Sequence, residues 1–583
     1  MEDKLMAKVY GIDLGTTYSA IATLDNNGLP VIIDNDVDGT PFIASAVYFP
    51  ENGEPVIGEE AKKQAEVEPG RVVQFVKREI GKADAQTWEF NGIKYDPITI
   101  SALILKRIKK YVEQQNNTTV SDVVITCPAY FGIKERNETR EAGKIAGLNV
   151  LDIINEPTAA ALNYCLREFK ENRKIMVYDL GGGTFDITLF DYSVDDENKA
   201  TIDILATGGN DRLGGVDWDN LICEHITEWY CEDNRIDERS ELDSDVRQQI
   251  QTQAENIKIG LTKMPSKKAY INSDRGRASL VVNKDKFNEI ASGKVDETMA
   301  YVRNLLDKVN VSANDIDTVL LVGGSTRMTM IEEAVKAMFP GKVKYEDPDK
   351  AVAKGAALAA AIKFNEILDK RVHISKDGEI EPRKEHTGEK GEDNEDEKIT
   401  REQADNLKIR LGPDEITEIT YIDKLPRSFG PGVMNDNDEY VIDNLLFIGD
   451  PSPAEIEKTY ETTKDNMPRI VVRIFENWGE DRENTYVIPC IDRDGQPQYT
   501  DPDLKVEFIG QLELTLPLNT PQKSPIDVTF SFSSAGLDVT ARNPNTNERI
   551  SAELASYNTK NREEMEETVK VVKDSNPRGQ INS

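Results

Sequence analysis

Two glycine-rich segments of this chain carry residues that suit phosphate chemistry, one beginning at Asp13 and the other at Asp179. The first reads Asp-Leu-Gly-Thr-Thr-Tyr-Ser, and the second reads Asp-Leu-Gly-Gly-Gly-Thr-Phe-Asp. Small residues in a turn leave main-chain N–H groups free to bind an anion, and carboxylates bind magnesium. Two such turns that face each other could therefore hold a polyphosphate from both sides, with a magnesium ion between their aspartates. The alternative is that each segment is an ordinary hairpin with a glycine turn.

Each glycine-rich segment lies between two apolar, β-branched runs, which predicts a strand, a turn and a second strand. The first segment follows residues 9–12 and precedes residues 20–22. The second follows residues 175–178 and precedes residues 187–190. In both places an aspartate ends the first strand of the pair, so the turn that follows it is the expected phosphate site.

Four regions of the chain differ in their sequence pattern. Residues 1–366 alternate strands with helices, which predicts an α/β domain. Residues 367–417 are dense in charged side chains, which predicts a linker or a surface insertion. Residues 418–557 show short alternating strands separated by Pro, Asn, Asp and Gly, which predicts an antiparallel β-sandwich. Residues 558–583 predict one short helix and a polar tail.

The composition limits the class of function. The chain carries a formal net charge of −34, which argues against nucleic-acid binding because phosphates would be repelled. No run of about eighteen apolar residues occurs, so we expect neither a membrane span nor a signal peptide. Five cysteines without a CxxC pair predict reduced thiols and a cytoplasmic location. With three histidines and no GxxxxGK[ST] motif, neither a histidine-based site nor a P-loop is indicated.

Six longer segments resemble the seventy-kilodalton heat-shock chaperone family. They stand in that family's order and spacing and comprise residues 11–19, 75–81, 127–131, 153–162, 178–186 and 322–327. The resemblance covers residues 7–365. It implies an α/β actin-like (ribonuclease H-like) ATPase domain of two lobes around a cleft, followed by an antiparallel β-sandwich. It also implies ATP or ADP as ligand, together with Mg²⁺ and K⁺.

The resemblance assigns roles to residues of that cleft by their position in the motifs. The implied catalytic residues are Lys77, Glu156, Asp179 and Thr184, and the implied metal residues are Asp13, Asp179 and Asp186. The implied nucleotide-binding residues are Gly15, Thr16, Thr17, Tyr18, Gly181, Gly182, Gly183, Glu255, Lys258, Thr262, Gly323, Gly324, Ser325, Arg327 and Asp349. Ile259 stands where some members carry an arginine, so the resemblance implies an apolar wall against the adenine. Pro128 and Arg136 occupy places similar to the family's proline switch and arginine relay.

The β region resembles the family's peptide-binding sandwich more loosely. In that register the arch and groove over an extended peptide would be formed by Met434, Tyr460, Thr463, Ile470 and Val472. Such a groove binds peptide through main-chain hydrogen bonds and a central pocket. The alternative is that Ile470 and Val472 are simply part of the sandwich core.

The chain departs from the family's pattern in three places. Thr420 replaces a leucine in the interdomain linker, which would weaken docking of the linker by about 1 kcal/mol or more if the hydroxyl is buried. Asp152 replaces an arginine that meets J-domain partners, so we expect an ordinary J-domain to pair weakly. Only about thirty residues follow Ser551, too few for the helical lid, so we expect bound peptide to leave quickly.

These patterns favour a chaperone-like, slow ATPase that binds unfolded polypeptide. The partners that the resemblance implies are a nucleotide exchange factor and a J-domain cochaperone, whose pairing Asp152 would weaken. No nucleic acid or membrane is expected. Two alternatives stay open. One is an actin-fold protein of another class, such as a sugar kinase or a filament former. The other is a nucleotide-binding regulatory or interaction module whose ATPase is weak or uncoupled.

Overall fold

The computed structural model describes most of the chain outside the charged segment. The described residues are 8–82, 84–168, 171–236, 242–273, 276–345, 347–371, 407–411, 418–435, 440–482, 486–487, 490–491, 497–498, 506–533, 536–553 and 562–580. Within these ranges no helix has the length and apolar character needed to cross a membrane.

A first α/β unit extends to residue 168 and is built around a mixed sheet. Its strands are β1 Val9–Asp13, β2 Tyr18–Leu24, β3 Pro30–Ile32, β4 Ile43–Ala44, β5 Ala46–Tyr48, β6 Val56–Ile57, β7 Val72–Gln74, β8 Trp88–Phe90, β9 Ile93–Tyr95, β10 Asp122–Cys127 and β11 Asn149–Asn155. Its helices are α1 Glu59–Gln64, α2 Pro97–Asn116, α3 Ile133–Ile145 and α4 Glu156–Glu168, with 3₁₀ helices at Pro69–Arg71 and Val76–Glu79. The main sheet has the order β11-β10-β1-β2-β3, with β4 paired to β2, and β5–β7 form a small separate sheet.

A second α/β unit repeats the strand order of the first. Its strands are β12 Arg173–Leu180, β13 Phe185–Val194, β14 Lys199–Asn210, β15 Ser266–Ser273, β16 Gly276–Asn283, β17 Thr318–Val322 and β18 Val343–Tyr345. Its helices are α5 Gly215–Asn234, α6 Ser244–Leu261, α7 Lys284–Lys308, α8 Thr329–Met338 and α9 Ala351–Arg371, with 3₁₀ helices at Ala313–Asp315 and Gly324–Arg327. In each sheet two antiparallel pairings are followed by two parallel ones: β3-β2-β1-β10-β11 in the first and β14-β13-β12-β17-β18 in the second.

The two glycine-rich turns occupy equivalent places in these sheets. The first joins β1 to β2, and the second joins β12 to β13, each pair being antiparallel. The predicted strand–turn–strand units are therefore confirmed. Parallel strands β10 and β17 lie beside the first strand of each pair, so both turns stand at the same kind of sheet edge.

Helix α9 joins the second unit to the first sheet. It is rich in alanine and continues to Arg371, five residues beyond the predicted domain boundary at 366. It contacts α4, β1 and β2. A side chain at Gly355 would overlap the main chain of Ala159 in α4, so the two helices pack at backbone distance. Small residues are required along this contact.

The predicted charged segment lies largely outside the described residues, which include only 367–371 and 407–411 of it. The second of these pieces packs on α9. The Asn365 side chain donates to the Ile409 carbonyl at 2.8 Å and accepts from the Ile409 N–H at 2.8 Å. The chain therefore returns to α9 before it enters the next strand.

The third part of the chain is rich in antiparallel strands, as the alternation predicted. Its strands are β19 Glu418–Lys424, β20 Ser428–Met434, β21 Tyr440–Asp443, β22 Pro451–Ser452, β23 Ala454–Glu461, β24 Arg469–Asn477, β25 Tyr486–Val487, β26 Cys490–Ile491, β27 Pro497–Gln498, β28 Glu507–Thr515, β29 Pro525–Ser533, β30 Gly536–Arg542 and β31 Arg549–Glu553. One sheet has the order β25-β21-β20-β24-β28 and the other β23-β29-β30-β31. A common apolar core includes Phe429, Phe530 and Val539.

The interdomain linker is a strand of the second α/β unit. Strand β19 pairs in parallel with β14, so the first strand of the predicted sandwich instead extends the preceding sheet. Thr420 lies on its exposed side, whereas Ile419 is buried. Because the Thr420 hydroxyl stays in water, the docking cost expected from its burial does not apply.

The C-terminal helix α10, Arg562–Asp574, packs on α2 and α3 of the first unit. The sequence predicts one short helix in this region, but nothing local to it predicts where the helix packs. Val572 is buried in the apolar core of the first unit. The helix therefore adds to the α/β part of the molecule.

Replacement of Gly355 by alanine tests the α9 packing. We expect Gly355→Ala to lower the free energy of unfolding by about 1–3 kcal/mol, because the added methyl group meets backbone that cannot rotate away. Gly293→Ala is the matched control, since Gly293 is also helical and nothing lies within 4 Å of an added Cβ. The free energy of unfolding of that control should rise by up to about 1 kcal/mol, because alanine has a higher helix propensity than glycine. Urea denaturation measures both, and equal effects of the two variants would contradict the packing argument.

Candidate functional site

A cleft of about 920 Å³ is lined by residues of both α/β units. All of the residues assigned to catalysis, nucleotide and metal line it except Gly183 and Asp186. Gly183 lies between the lining residues Gly182 and Thr184, and Asp186 follows Thr184 by two positions, in β13. The structure thus brings together side chains from motifs that are up to about 340 positions apart in the sequence.

The two glycine-rich turns face each other across the cleft. A Cβ at Gly182 would overlap Oγ1 of Thr17, and a Cβ at Gly183 would lie 2.6 Å from Oγ1 of Thr16. The second turn therefore needs glycine because the first turn lies against it. Arg78 holds the second turn in place by donating to the Gly183 carbonyl at 2.7 Å.

The floor of the cleft carries buried charge of both signs. Lys77, in the 3₁₀ helix Val76–Glu79, forms an ion pair with Glu156, which begins α4. Burial alone would lower the pKa of Lys77, but the carboxylates of Glu156 and Asp13 raise it above its ordinary value. The Lys77 ammonium therefore stays protonated even though it is buried.

Three further carboxylates surround this ion pair, and their pKa values are all raised. Burial, with repulsion from Glu156, raises the pKa of Asp13 to about 7 and that of Asp186 to about 8. The same two causes raise the pKa of Asp179 well above its ordinary value. Asp186 accepts a hydrogen bond from the Ala129 N–H at 3.0 Å. The floor thus holds more carboxylate than the Lys77 ammonium can balance.

This excess of carboxylate fits a hydrated divalent cation. Among the described residues, no three Asp, Glu, His or Cys side chains converge closely enough to bind an ion directly. Mg²⁺ usually keeps several of its waters in protein sites. Asp13, Asp179 and Asp186 therefore suit a magnesium ion that is held through its water shell rather than by direct ligation.

An ion pair at the rim of the cleft connects the two units. Lys62 in α1 contacts Glu255 in α6 at 2.8 Å and donates to the Tyr18 hydroxyl at 3.0 Å. Lys258 is held by Asp219 at 2.7 Å and by the Gly215 carbonyl. Neither Lys62 nor Asp219 was singled out from the sequence, because each stands in a run of ordinary helical residues whose partner is distant in the chain.

The remaining predicted residues form the opposite wall. The side chain of Ser325 donates to the Gly181 carbonyl at 2.8 Å, and Gly323, with φ of +81°, lies directly against Leu180. Arg327 is paired with Asp349 at the surface. Ile259 is 53% exposed and lines the cleft near Thr262, so an apolar side chain is available there, while its role against the adenine stays a prediction.

The family profile described as Hsp70 protein matches residues 9–376, which is more than half of the chain. The chain belongs to the Hsp70 family. Members of this family are ATPases, and membership supports a chaperone-like, ATP-binding function with Mg²⁺. The match ends before the β domain, and it favours this class over a sugar kinase or a filament former.

In this Hsp70 the loop after Pro128 connects the cleft to the linker strand. Asp186 contacts Ala129 at the start of that loop. Arg136 in α3 donates to the Phe131 carbonyl at 3.0 Å and to the side chain of Asn155. The Asn155 amide in turn donates to Asp423 of β19 at 2.8 and 2.9 Å. Pro128 and Arg136 thus lie between the carboxylates at the floor of the cleft and the linker.

Asp152 lies beneath the docked linker instead of facing outward. Its side chain is 1% exposed and accepts a hydrogen bond from the Tyr421 hydroxyl at 3.3 Å. Lys363 and Arg140 approach it at 3.7 and 3.9 Å. A carboxylate in this position holds the linker strand, so the expected repulsion of a J-domain cannot act directly while β19 is docked. The aromatic Tyr421 supplies a hydroxyl that suits the aspartate.

A second contact joins the loop after Pro128 to the β domain. Arg427 donates to the Tyr130 carbonyl at 2.8 Å and stacks 3.6 Å from the ring of Trp478. Glu476 is buried beside Arg427; burial, with repulsion from Glu135, raises the pKa of Glu476 to about 8 although Arg427 opposes the change. Sequence reasoning missed this contact, because an isolated arginine and an isolated tryptophan carry no local signal.

The residues assigned to the peptide groove divide into two sets. Val472 belongs to the sandwich core, and Ile470 and Tyr460 pack against that core. Met434, which is 46% exposed, and Thr463 lie on the surface. The core alternative therefore holds for Val472, while a groove formed by the others remains a prediction.

We expect Asp152→Asn to loosen the docked linker. The change removes a charge-assisted hydrogen bond worth about 1.5 kcal/mol, so amide hydrogen exchange in β19 should quicken about tenfold. Asp191→Asn is the control, because Asp191 is a half-exposed member of the same sheet with its own lysine partner. Unchanged exchange in β19 for Asp152→Asn would show that this aspartate does not hold the linker.

Proposed function

We propose that this chain binds ATP as its magnesium complex, hydrolyses it slowly to ADP and phosphate, and binds extended polypeptide or a dedicated partner through its β domain. The observation that carries the proposal is the buried ion pair of Lys77 and Glu156 at the floor of a cleft formed by two opposed glycine turns. Membership of the Hsp70 family supports it.

Hydrolysis of ATP needs little covalent chemistry from a protein, because positioning and charge stabilisation account for most of the rate. The Lys77 ammonium would neutralise charge that develops on the γ-phosphoryl group. Glu156, which already accepts a bond from Lys77, would orient the attacking water. The main-chain N–H groups of the two turns and the hydroxyls of Thr17 and Thr184 would bind phosphate oxygens. Magnesium, when bound, supplies positive charge that offsets the crowded carboxylates.

Several finer parts of the proposal rest on the family's general properties. A potassium ion near Asp13 and Asp186, a nucleotide exchange factor and a J-domain cochaperone are proposed on that ground. The cytoplasmic location is proposed from the cysteine usage alone. The exposed Met434 and Thr463 support a peptide site at the edge of the β domain, since their side chains are accessible there.

Substitution of Lys77 tests the catalytic assignment. We expect Lys77→Ala to slow single-turnover ATP hydrolysis by about 10²–10³-fold, because the charge on the transferring group loses its counter-ion. Calorimetry should find magnesium–ATP affinity within about tenfold of the wild type, since the glycine turns remain. Lys63→Ala is the matched control, because Lys63 lines the same cleft but is exposed.

Two results would overturn this assignment. One is a normal hydrolysis rate in Lys77→Ala; the other is a failure of the wild type to bind magnesium–ATP at all. Since Lys77→Ala leaves Glu156 buried without its partner, Thr184→Ala provides a second variant that changes no charge. It should also slow hydrolysis while the protein stays folded.

The second candidate function is a nucleotide-binding module with an uncoupled ATPase. Addition of unfolded peptide distinguishes it from an ATPase that is coupled to peptide binding. We expect peptide to raise the single-turnover rate, and Arg427→Ala to abolish that response. The reason is that Arg427 contacts Tyr130, which adjoins the Ala129 N–H bonded to Asp186. Arg469→Ala, which removes an exposed arginine paired with Glu513, is the control. A rate that peptide never changes would favour the uncoupled module.

A further inference from the structure

The C-terminal segment 562–580 lies across the first α/β unit and is fixed there at three points. We call it the C-terminal strap. Its helix, α10, places Val572 in the apolar core of that unit with none of its surface exposed. Burial of one such side chain removes apolar surface from water and so stabilises the bound strap. This apolar contact is the first fixed point.

The second fixed point is a lysine at the end of α10. Lys106 of α2 donates hydrogen bonds at 2.6, 2.9 and 2.6 Å to the carbonyl oxygens of Val572, Lys573 and Ser575. An ammonium has three donors, and here all three satisfy carbonyl groups that the helix end leaves without internal partners. Its positive charge also lies at the negative end of the helix dipole. Lys110, one turn further along α2, holds Asn576 at 2.7 Å.

The third fixed point is a short strand pairing. The Arg578 N–H donates to the Pro55 carbonyl at 2.9 Å, and its carbonyl accepts from the Ile57 N–H at 2.8 Å. Residue 578 thereby extends the edge of β6 as a parallel bridge. Gly579 follows against Arg107 of α2. The strap therefore ties the helical part of the first unit to its small sheet.

These contacts close the molecule into a ring. The β domain is attached at its beginning to the second α/β unit through β19 and at its end to the first unit through the strap. Eight residues, 554–561, separate β31 from α10, and even fully extended they span only about 30 Å. While the strap is bound, the β domain cannot move further than that from the first unit.

We propose that the C-terminal strap is a second tether that keeps β19 and the β domain docked in both the ATP and the ADP states. Undocking is favoured by the freedom that a released domain gains, and a short second tether withholds most of that freedom. A domain held within about 30 Å keeps an effective concentration in the millimolar range, so weak docking contacts remain formed. This inference concerns regulation of the proposed nucleotide site. Its comparison of the ATP and ADP states rests on the proposed function.

Amide hydrogen exchange in β19 tests the tether without measuring activity. In the wild type we expect exchange in ATP and ADP to agree within about threefold, because docking persists in both. Release of the strap by Lys106→Ala or by Val572→Asp should make exchange in ADP at least about tenfold faster than in ATP. Lys109→Ala is the matched control, since Lys109 is on the same helix but bonds Gly147 and not the strap.

Exchange of the Ile57 amide, whose N–H bonds Arg578, reports directly whether each variant has freed the strap. Two results overturn the inference: nucleotide-dependent exchange of β19 in the wild type as large as in the released variants, or continued protection in ADP once Ile57 shows that the strap is free. If nucleotide changes no exchange at residues 13–18, the proposed function fails instead. In that case amide exchange in β19 is compared between the wild type and the released variants in the absence of nucleotide. Release of the strap must still quicken that exchange.

Discussion

The cleft depends on holding four carboxylates around one lysine in a place that water scarcely reaches. Asp13, Glu156, Asp179 and Asp186 repel one another, and Lys77 offsets only part of that repulsion. Burying like charges so close together destabilises the folded protein. The arrangement persists because the surrounding structure fixes the position of each of these side chains. Two sheets of equal strand order supply that structure, since each delivers an aspartate and a turn to the same place. Any cation and phosphate bound there must therefore also stabilise the folded protein by mass action.

The contacts that are local in sequence were predictable, and those that join distant positions were not. The strand–turn–strand units around Asp13 and Asp179 follow from alternation and glycine within a few residues, and the structure has them as expected. The pairing of Lys62 with Glu255 spans 193 positions, and the sequence of neither helix contains a pattern that predicts it. The same holds for the docking of α10. Its short amphipathic sequence predicts that one face of the helix is buried, but it does not predict which surface covers that face. Asp152 shows most clearly what a sequence cannot predict. Its residue type can be read directly, but the orientation of its side chain depends on Tyr421, which lies 269 positions away in β19.

The structure links the cleft to the β domain by two routes that share one loop. The first runs from Asp186 through Ala129 and Tyr130 to Arg427, and the second from Phe131 through Arg136 and Asn155 to Asp423. Pro128 begins this loop, and proline restricts how it can move. Both the linker and the β domain therefore contact the loop that binds Asp186. Displacement of this loop would break hydrogen bonds of buried groups at both ends.

The charged segment does not release the β domain from the α/β part, because the chain is fixed on both sides of that segment. The residues between 371 and 407 add length without loosening the linker, because the chain is tied to α9 again by Asn365 and Ile409. Only residues 412–417 then separate that anchor from β19. A β domain that is held close to the α/β part at both ends can respond to the cleft through contacts that persist in the docked form. Arg427, Trp478 and Tyr130 form such a contact, and Tyr130 follows Ala129, whose N–H is bonded to Asp186.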